Sequence, residues 1–228
     1  MRYVREPVRR MLTSDAALRV ISREGIGAAT LRRIAKEADV PLSNLNHVYP
    51  SKQSLFEDAW ERACRLMLAL IDSVEKSGPA ELEEAVSLLI LSLIEGIDPS
   101  VERELTEGTG VEDAQRAQYE LLLWAVRVPG PEKRSREYRR INSKIENFLE
   151  SYGVEDIDYA YLAVLIAAIS DGLILQILAG QPVGALRGRI NILASNLIAS
   201  CRLGPRGAAA ADNASASSAV GENAPSGG

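Results

Sequence analysis

Thr30–Leu55 reads TLRRIAKEADVPLSNLNHVYPSKQSL, and the reading of this stretch decides the fold. It spells two short helices joined by a tight turn, then the capped start of a longer helix. Thr30 is a suitable N-cap, and Leu31, Ile34, Ala35 and Ala38 form an apolar stripe at helical spacing. Ala38-Asp39-Val40 fills the turn, and Pro41 stands where a helix can begin without missing its N–H. On the second helix Leu45 and Val48 face inward, while Ser43, Asn46 and His47 share another face flanked by Leu42 and Asn44. Short polar side chains on a helix braced by a second one suit a DNA major groove. Spacing alone fits an ordinary helical hairpin equally well.

Working outward, a first helix is expected over about Val8–Glu24, ended by Gly25 as a left-handed cap, behind a loose basic arm of Arg2, Arg5, Arg9 and Arg10. Ser51 caps a fourth helix to about Lys76, which Ser77-Gly78-Pro79 stops. Further helices follow over about 80–97, 111–128 and the charged stretch ending near Gly153, then Ile157–Ala179 and Val183–Leu203. The run LLILSLI makes the helix over 80–97 apolar nearly all round, so it should be central. Nothing reads as a strand. The fold class is all-α. From Gly204 onward Ala, Ser, Gly, Pro and Asn prevail with almost no apolar bulk, a composition of disorder.

The net charge of −5 conceals a division. Residues 1–52 carry ten Lys or Arg against five Asp or Glu, and residues 53–228 carry sixteen against twenty-six. A basic head on an acidic body is what a polyanion-binding module looks like. Cys64 and Cys201 each sit in an apolar helical pattern and read as small core residues, and the amino terminus lacks the apolar run of a secretion signal. A reducing cytoplasm fits. YAYLAVLIAAISDGLILQILAG is long enough to cross a bilayer. Asp171 near its middle and Gln176 argue instead for a helix buried in a core and against a partner subunit.

No enzyme signature is present. The one histidine, His47, has no nucleophile or acid at a known catalytic spacing, and no phosphate loop, HExxH or paired CxxC occurs. No catalytic residue, metal site or cofactor is expected.

The segment from about Arg9 to Trp60 resembles the DNA-binding domain of the TetR family of bacterial regulators. The likeness is carried by a first helix ending in SREGIGAAT, by LRRIAKEADV, the short helix holding Leu45, Tyr49, and SKQSLF opening the long helix. DGLILQ and YELLLWAVR resemble ligand-domain segments of part of that family. The resemblance implies a three-helix DNA-binding domain with a helix-turn-helix over residues 1–50. It further implies an all-helical ligand-binding and dimerisation domain over 51–203, before the tail at 204–228. It assigns phosphate contacts to Thr30, Arg32 and Lys52 and base reading to the helix Pro41–His47. Asn44, Asn46, His47 and Ser43 offer donors and acceptors for base edges, and Leu42 an apolar contact for a thymine methyl. The sequence departs from the family pattern at Asp39 (commonly Gly), Pro41 (Ser), Asn46 (Tyr) and Val48 (His).

For the body the resemblance implies a homodimer built by the last two apolar helices. Asp171 would be buried and in need of a partner, with Arg187 and Arg189 as candidates. Met67, Tyr119, Trp124, Arg127 and Tyr161 are the candidate lining of a small-molecule inducer pocket. The expected function is a ligand-responsive regulator, most simply a repressor, that binds a double-stranded pseudo-palindromic operator as a homodimer, with no membrane. The alternative is a non-enzymatic helical protein acting through protein contacts or non-specific DNA binding.

Overall fold

The computed structural model describes residues 6–95, 111–127, 131–181 and 184–203. The expected basic residues Arg2 and Arg5 and the expected disordered tail lie outside them. Ten helices are described: α1 (Glu6–Glu24), α2 (Leu31–Glu37), α3 (Leu42–Val48), α4 (Lys52–Ser77), α5 (Leu82–Glu95), α6 (Val111–Val126), α7 (Pro131–Glu150), α8 (Tyr159–Leu178), α9 (Gly184–Arg187) and α10 (Ile190–Ser200). Among the described residues the one extended pairing is an isolated bridge between Ile157 and Arg202, which ties the end of α10 to the start of α8.

Local chemistry sets the ends of the helices that shape the head. Gly25 takes φ +82° and donates to the Ile21 carbonyl at 2.9 Å, closing α1 in a backbone region that a side chain would strain. Thr30 caps α2, its Oγ1 accepting from the Arg33 N–H at 3.2 Å. Ser51 opens α4 with a reciprocal capping box to Ser54. Between α2 and α3, Asp39 adopts φ +52°, the left-handed turn position that a short polar side chain tolerates better than a bulky one. Arg9 and Arg10, expected in a loose arm, belong to α1 instead. Arg10 is held by Asp58 at 3.3 Å and lies over the Tyr49 ring, 5.3 Å from its centroid.

Helix α4 joins head and body. Its head end buries Leu55, Phe56 and Ala59 with Ile21, Ile34 and Leu45, and its remainder buries Met67, Leu70, Ile71 and Val74 in the body. A buried ion pair locks α1 to it: Arg62 Nε donates to Asp15 Oδ1 at 2.7 Å, both side chains almost wholly enclosed. Helix α5 occupies the centre of the body, packed by α4, α7, α8 and α10, as its all-round apolarity requires. Cys64 and Cys201 are buried and free.

The terminal helix expected over Val183–Leu203 is two helices, broken at Gly188-Arg189, where Arg189 leaves helical geometry at φ −125°, ψ 9°. Glycine is a poor helix residue, and Gly188 between Arg187 and Arg189 weakens the continuation. By length and composition α8 is the one described helix that would pass as a membrane span, but one side of it packs on α5 and α7.

Candidate nucleic-acid interface and ligand cavity

Helix α3 is short and held from beneath by Leu45, which is buried, and by partly buried Leu42 and Val48. Its start is set by backbone geometry rather than a side-chain cap, since the Pro41 carbonyl accepts from Asn44 at 3.0 Å and Leu45 at 3.2 Å. Its far end is pinned through Tyr49, whose hydroxyl donates to the Arg10 carbonyl at 3.3 Å. Burial pushes the Tyr49 phenol up to about 12, so it stays a neutral donor. Ser43, Asn44, Asn46 and His47 are all exposed, as are Pro41, Thr30, Arg32 and Lys52. Each therefore presents its donors, acceptors or charge to solvent. Leu42, expected as a base-contacting residue, divides its surface between solvent and the core.

The ion pairs sort the head's cations. Arg19 and Arg23 are both engaged by Glu37, and Arg33 by Glu24. Among the described residues Arg32, Lys36 and Lys52 carry no ion pair. Arg32 and Lys36 stand one turn apart on the exposed side of α2. Lys36 was not singled out in the sequence, where nothing distinguishes it from the paired arginines beside it. Lys52 rests over the Phe56 ring at 4.9 Å and reaches the Ile26 carbonyl at 3.5 Å.

In the body a cavity of about 40 Å³ lies among α4, α5, α6, α7 and α8. Of the expected ligand residues it brings together Met67 and Tyr119. Trp124 packs edge-on against Phe56, ring centroids 5.2 Å apart, at the junction with the head. Arg127 is exposed at the end of α6, and Tyr161 points outward from α8, half exposed. In their place Gln115, Gln118, Tyr138, Ser170 and Asp171 supply the polar lining.

Asp171 does not pair with Arg187 or Arg189. Arg187 binds Glu95, and the partner of Asp171 is Tyr119, whose hydroxyl donates to Oδ1 at 2.8 Å. Burial raises the Asp171 carboxyl above its ordinary 3.8, against the opposing effect of the Tyr119 hydrogen bond. Burial, and then the Asp171 charge, raise the phenols of Tyr119 and Tyr138. The cavity therefore holds neutral phenols around one reluctant carboxylate.

Helix α6 faces both regions. Tyr119 points into the cavity, and the adjacent Glu120 accepts the Ile26 backbone N–H at 2.5 Å. Seven residues earlier on the Glu120 face, Asp113 accepts from the Ser22 hydroxyl at 2.6 Å. Ile26 is thus held by α6 through its N–H and by Lys52 through its carbonyl. The α1–α2 loop containing it leads directly into the helix-turn-helix.

Residues 14–59 match the family model described as bacterial regulatory proteins, tetR family. The chain is 30% identical over 122 residues to a nicotine-responsive HTH-type transcriptional repressor, HdnoR, of Paenarthrobacter nicotinovorans. That alignment covers 53% of this chain and 56% of the relative, so the chain spans about half the length of the curated relative it matches. Among solved structures, a TetR-family member from Streptomyces coelicolor A3 superposes with TM-score 0.60 at 23% identity, over 83% of this chain and 98% of that one. The multidrug binding protein EbrR, complexed with ethidium, superposes with TM-score 0.61 at 22% identity, over 85% and 100%. At these identities the two structures establish a shared all-helical fold with an amino-terminal helix-turn-helix.

Proposed function

We propose, from the match of residues 14–59 to the tetR family model, that the chain is a ligand-responsive transcriptional repressor. It binds a pseudo-palindromic operator as a homodimer in the cytoplasm, and a small molecule in the body cavity releases it. The observation that carries this reading is the outward face of α3, where Ser43, Asn44, Asn46 and His47 stand exposed over buried Leu45. The unpaired cations Arg32, Lys36 and Lys52 and the first turns of α2 and α4 supply phosphate contacts around it. The head (1–50) reads DNA and the body (51–203) binds ligand and dimerises. HdnoR, a repressor responsive to nicotine by name, supports both roles.

The partner surface is the outer strip of α8. Tyr161, Val164 and Leu175 are each about half exposed there, and Ile192 of α10 is more so. A two-fold pairing of these helices covers the strip and sets two α3 helices on successive major-groove faces.

Release follows from size and connection. A cavity of about 40 Å³ holds little more than water, whereas ligand sites are on the order of 300–1,000 Å³. A ligand must therefore move the walls, and α6 is the wall that also grips the head through Glu120 and Asp113. Ligand thereby favours the form in which the Ile26 loop is repositioned, and only that difference in affinity shifts the population.

The test is salt dependence of duplex binding for the wild type and for Arg32→Ala with Lys52→Ala. Each lost phosphate contact reduces the slope of log K against log salt by about 0.9. The doubly substituted dimer should lose affinity for all sequences and about 3–4 units of slope. Unchanged affinity and slope would refute the assignment.

A further inference from the structure

We propose that the body cavity takes a small organic cation, a protonated amine or nitrogen heterocycle on an aromatic or apolar body, with the Asp171 carboxylate as its counter-charge. The proposal rests on the reading above only in treating this cavity as the ligand site.

The charge balance of the walls points to this class. Among the described residues lining the cavity there is one carboxylate, Asp171, and no Lys, Arg or His. The candidate internal counter-charge Arg187 is committed to Glu95. A carboxylate offers about four acceptor directions, and among the described residues the one side-chain donor to it is the Tyr119 hydroxyl. Ser170, beside it on α8, is 3% exposed, lines the cavity, and its Oγ has no partner among the described residues. This leaves a partly buried anion and an unpartnered buried hydroxyl next to one another in a small enclosure. A bound N–H⁺ group satisfies both: it donates to Asp171 and to Ser170 Oγ, and it neutralises the carboxylate that burial disfavours.

The rest of the wall fits the body of such a ligand. Tyr119 and Tyr138 present aromatic rings, which attract a cation by their faces, and Met67, Ile141 and Ile174 supply apolar contact. A neutral ligand leaves the carboxylate uncompensated, and an anion adds a second negative charge to the same enclosure.

The full-length protein is titrated calorimetrically at neutral pH with two matched series: tryptamine, tryptophol and indole-3-acetate, then phenethylamine, phenethyl alcohol and phenylacetate. In at least one series the amine should bind at least ~10-fold more tightly than the alcohol, with the carboxylate weakest. Asp171→Asn keeps an oxygen for Tyr119 and should bring amine and alcohol within ~2-fold, whereas Tyr119→Phe should retain the amine preference. Three results would overturn the proposal: no member of either series binds, alcohol or carboxylate equals the amine, or the preference survives in folded Asp171→Asn. The wild-type ranking decides alone where that variant does not fold. No DNA enters the measurement, so loss of the regulator reading and loss of cation preference are separately visible.

Discussion

Replacing Asp15 by alanine should damage this protein far more than breaking a neighbouring ion pair of similar sequence chemistry. Asp15 and Arg62 are joined by two hydrogen bonds, 2.7 and 3.3 Å, and their side chains are 2% and 10% exposed. Deleting the carboxylate removes a two-hydrogen-bond partner from the Arg62 guanidinium inside the α1–α4 contact, and breaking a buried pair in this way costs about 3–5 kcal/mol. At about 2–4 °C per kcal/mol for a chain of this size, the melting temperature should fall by roughly 6–20 °C. Arg10 and Asp58 also join α1 to α4, at 3.3 Å, but Arg10 is 44% exposed. Its replacement by alanine should cost about 1 kcal/mol or less. The double change Asp15→Ala with Arg62→Ala should recover part of the loss, because both charges are then removed from the buried contact. The assay is thermal unfolding by circular dichroism at one fixed protein concentration, since a dimer's midpoint depends on it. Equal shifts for Asp15→Ala and Arg10→Ala, or a double variant no better than the single, would refute the reasoning. Operator affinity should fall with Asp15→Ala as well, because α1 carries the carbonyl that anchors Tyr49 at the end of α3.

Three further outcomes follow from particular residues. Asp39→Gly relieves a left-handed backbone and removes one negative charge per protomer; glycine's unfolded-state entropy offsets part of the relief, so stability should rise by less than about 1 kcal/mol. Duplex affinity should increase by about 2–5-fold at low salt and less at high salt, and a gain that ignores salt would contradict the electrostatic part. Asp171 has a raised folded pKa, so its contribution to stability is fully present below 3.8 and lost as pH rises through the higher folded value. Asp171→Asn should therefore match the wild type in melting temperature near pH 3.8 and exceed it by a margin that grows as pH rises to the folded value and then levels off; a difference already constant from pH 3.8 upward would contradict burial as the cause. Val164→Glu places a charge on the exposed strip of α8 and should yield a folded monomer with weak operator binding; a persisting dimer in sedimentation velocity would move the interface elsewhere.

The head was readable because its signals are local. Thr30, Gly25 and, at its border with the body, Ser51 act within a turn of themselves, and the inward position of Leu45 sets which side of α3 faces out. The body was readable as helices but not as a site. Tyr119 and Asp171 lie 52 residues apart, and only the gathering of five helices around one cavity joins them. Among the aromatic residues, Trp124 and Tyr161 were expected to line the pocket and Tyr138 was not. Trp124 turned to Phe56, Tyr161 to the outer strip, and Tyr138 to the cavity, a choice made by which face of each helix meets α4 and α5. Which of the head's cations are left without an ion pair was equally hidden, since the pairings of Arg19, Arg23 and Arg33 depend on how α1 crosses α2.

The most direct test of the central claim is selection of duplexes from a random pool by the full-length protein, followed by equilibrium competition at moderate salt. The account predicts a discrete pseudo-palindrome with half-sites about one helical turn or a multiple apart. It also predicts that this site is bound far more tightly than random duplex, and that Asn44→Ala and His47→Ala relax the half-site sequence more than they weaken non-specific binding. A purified dimer that shows no preference for any selected duplex over random DNA would contradict it.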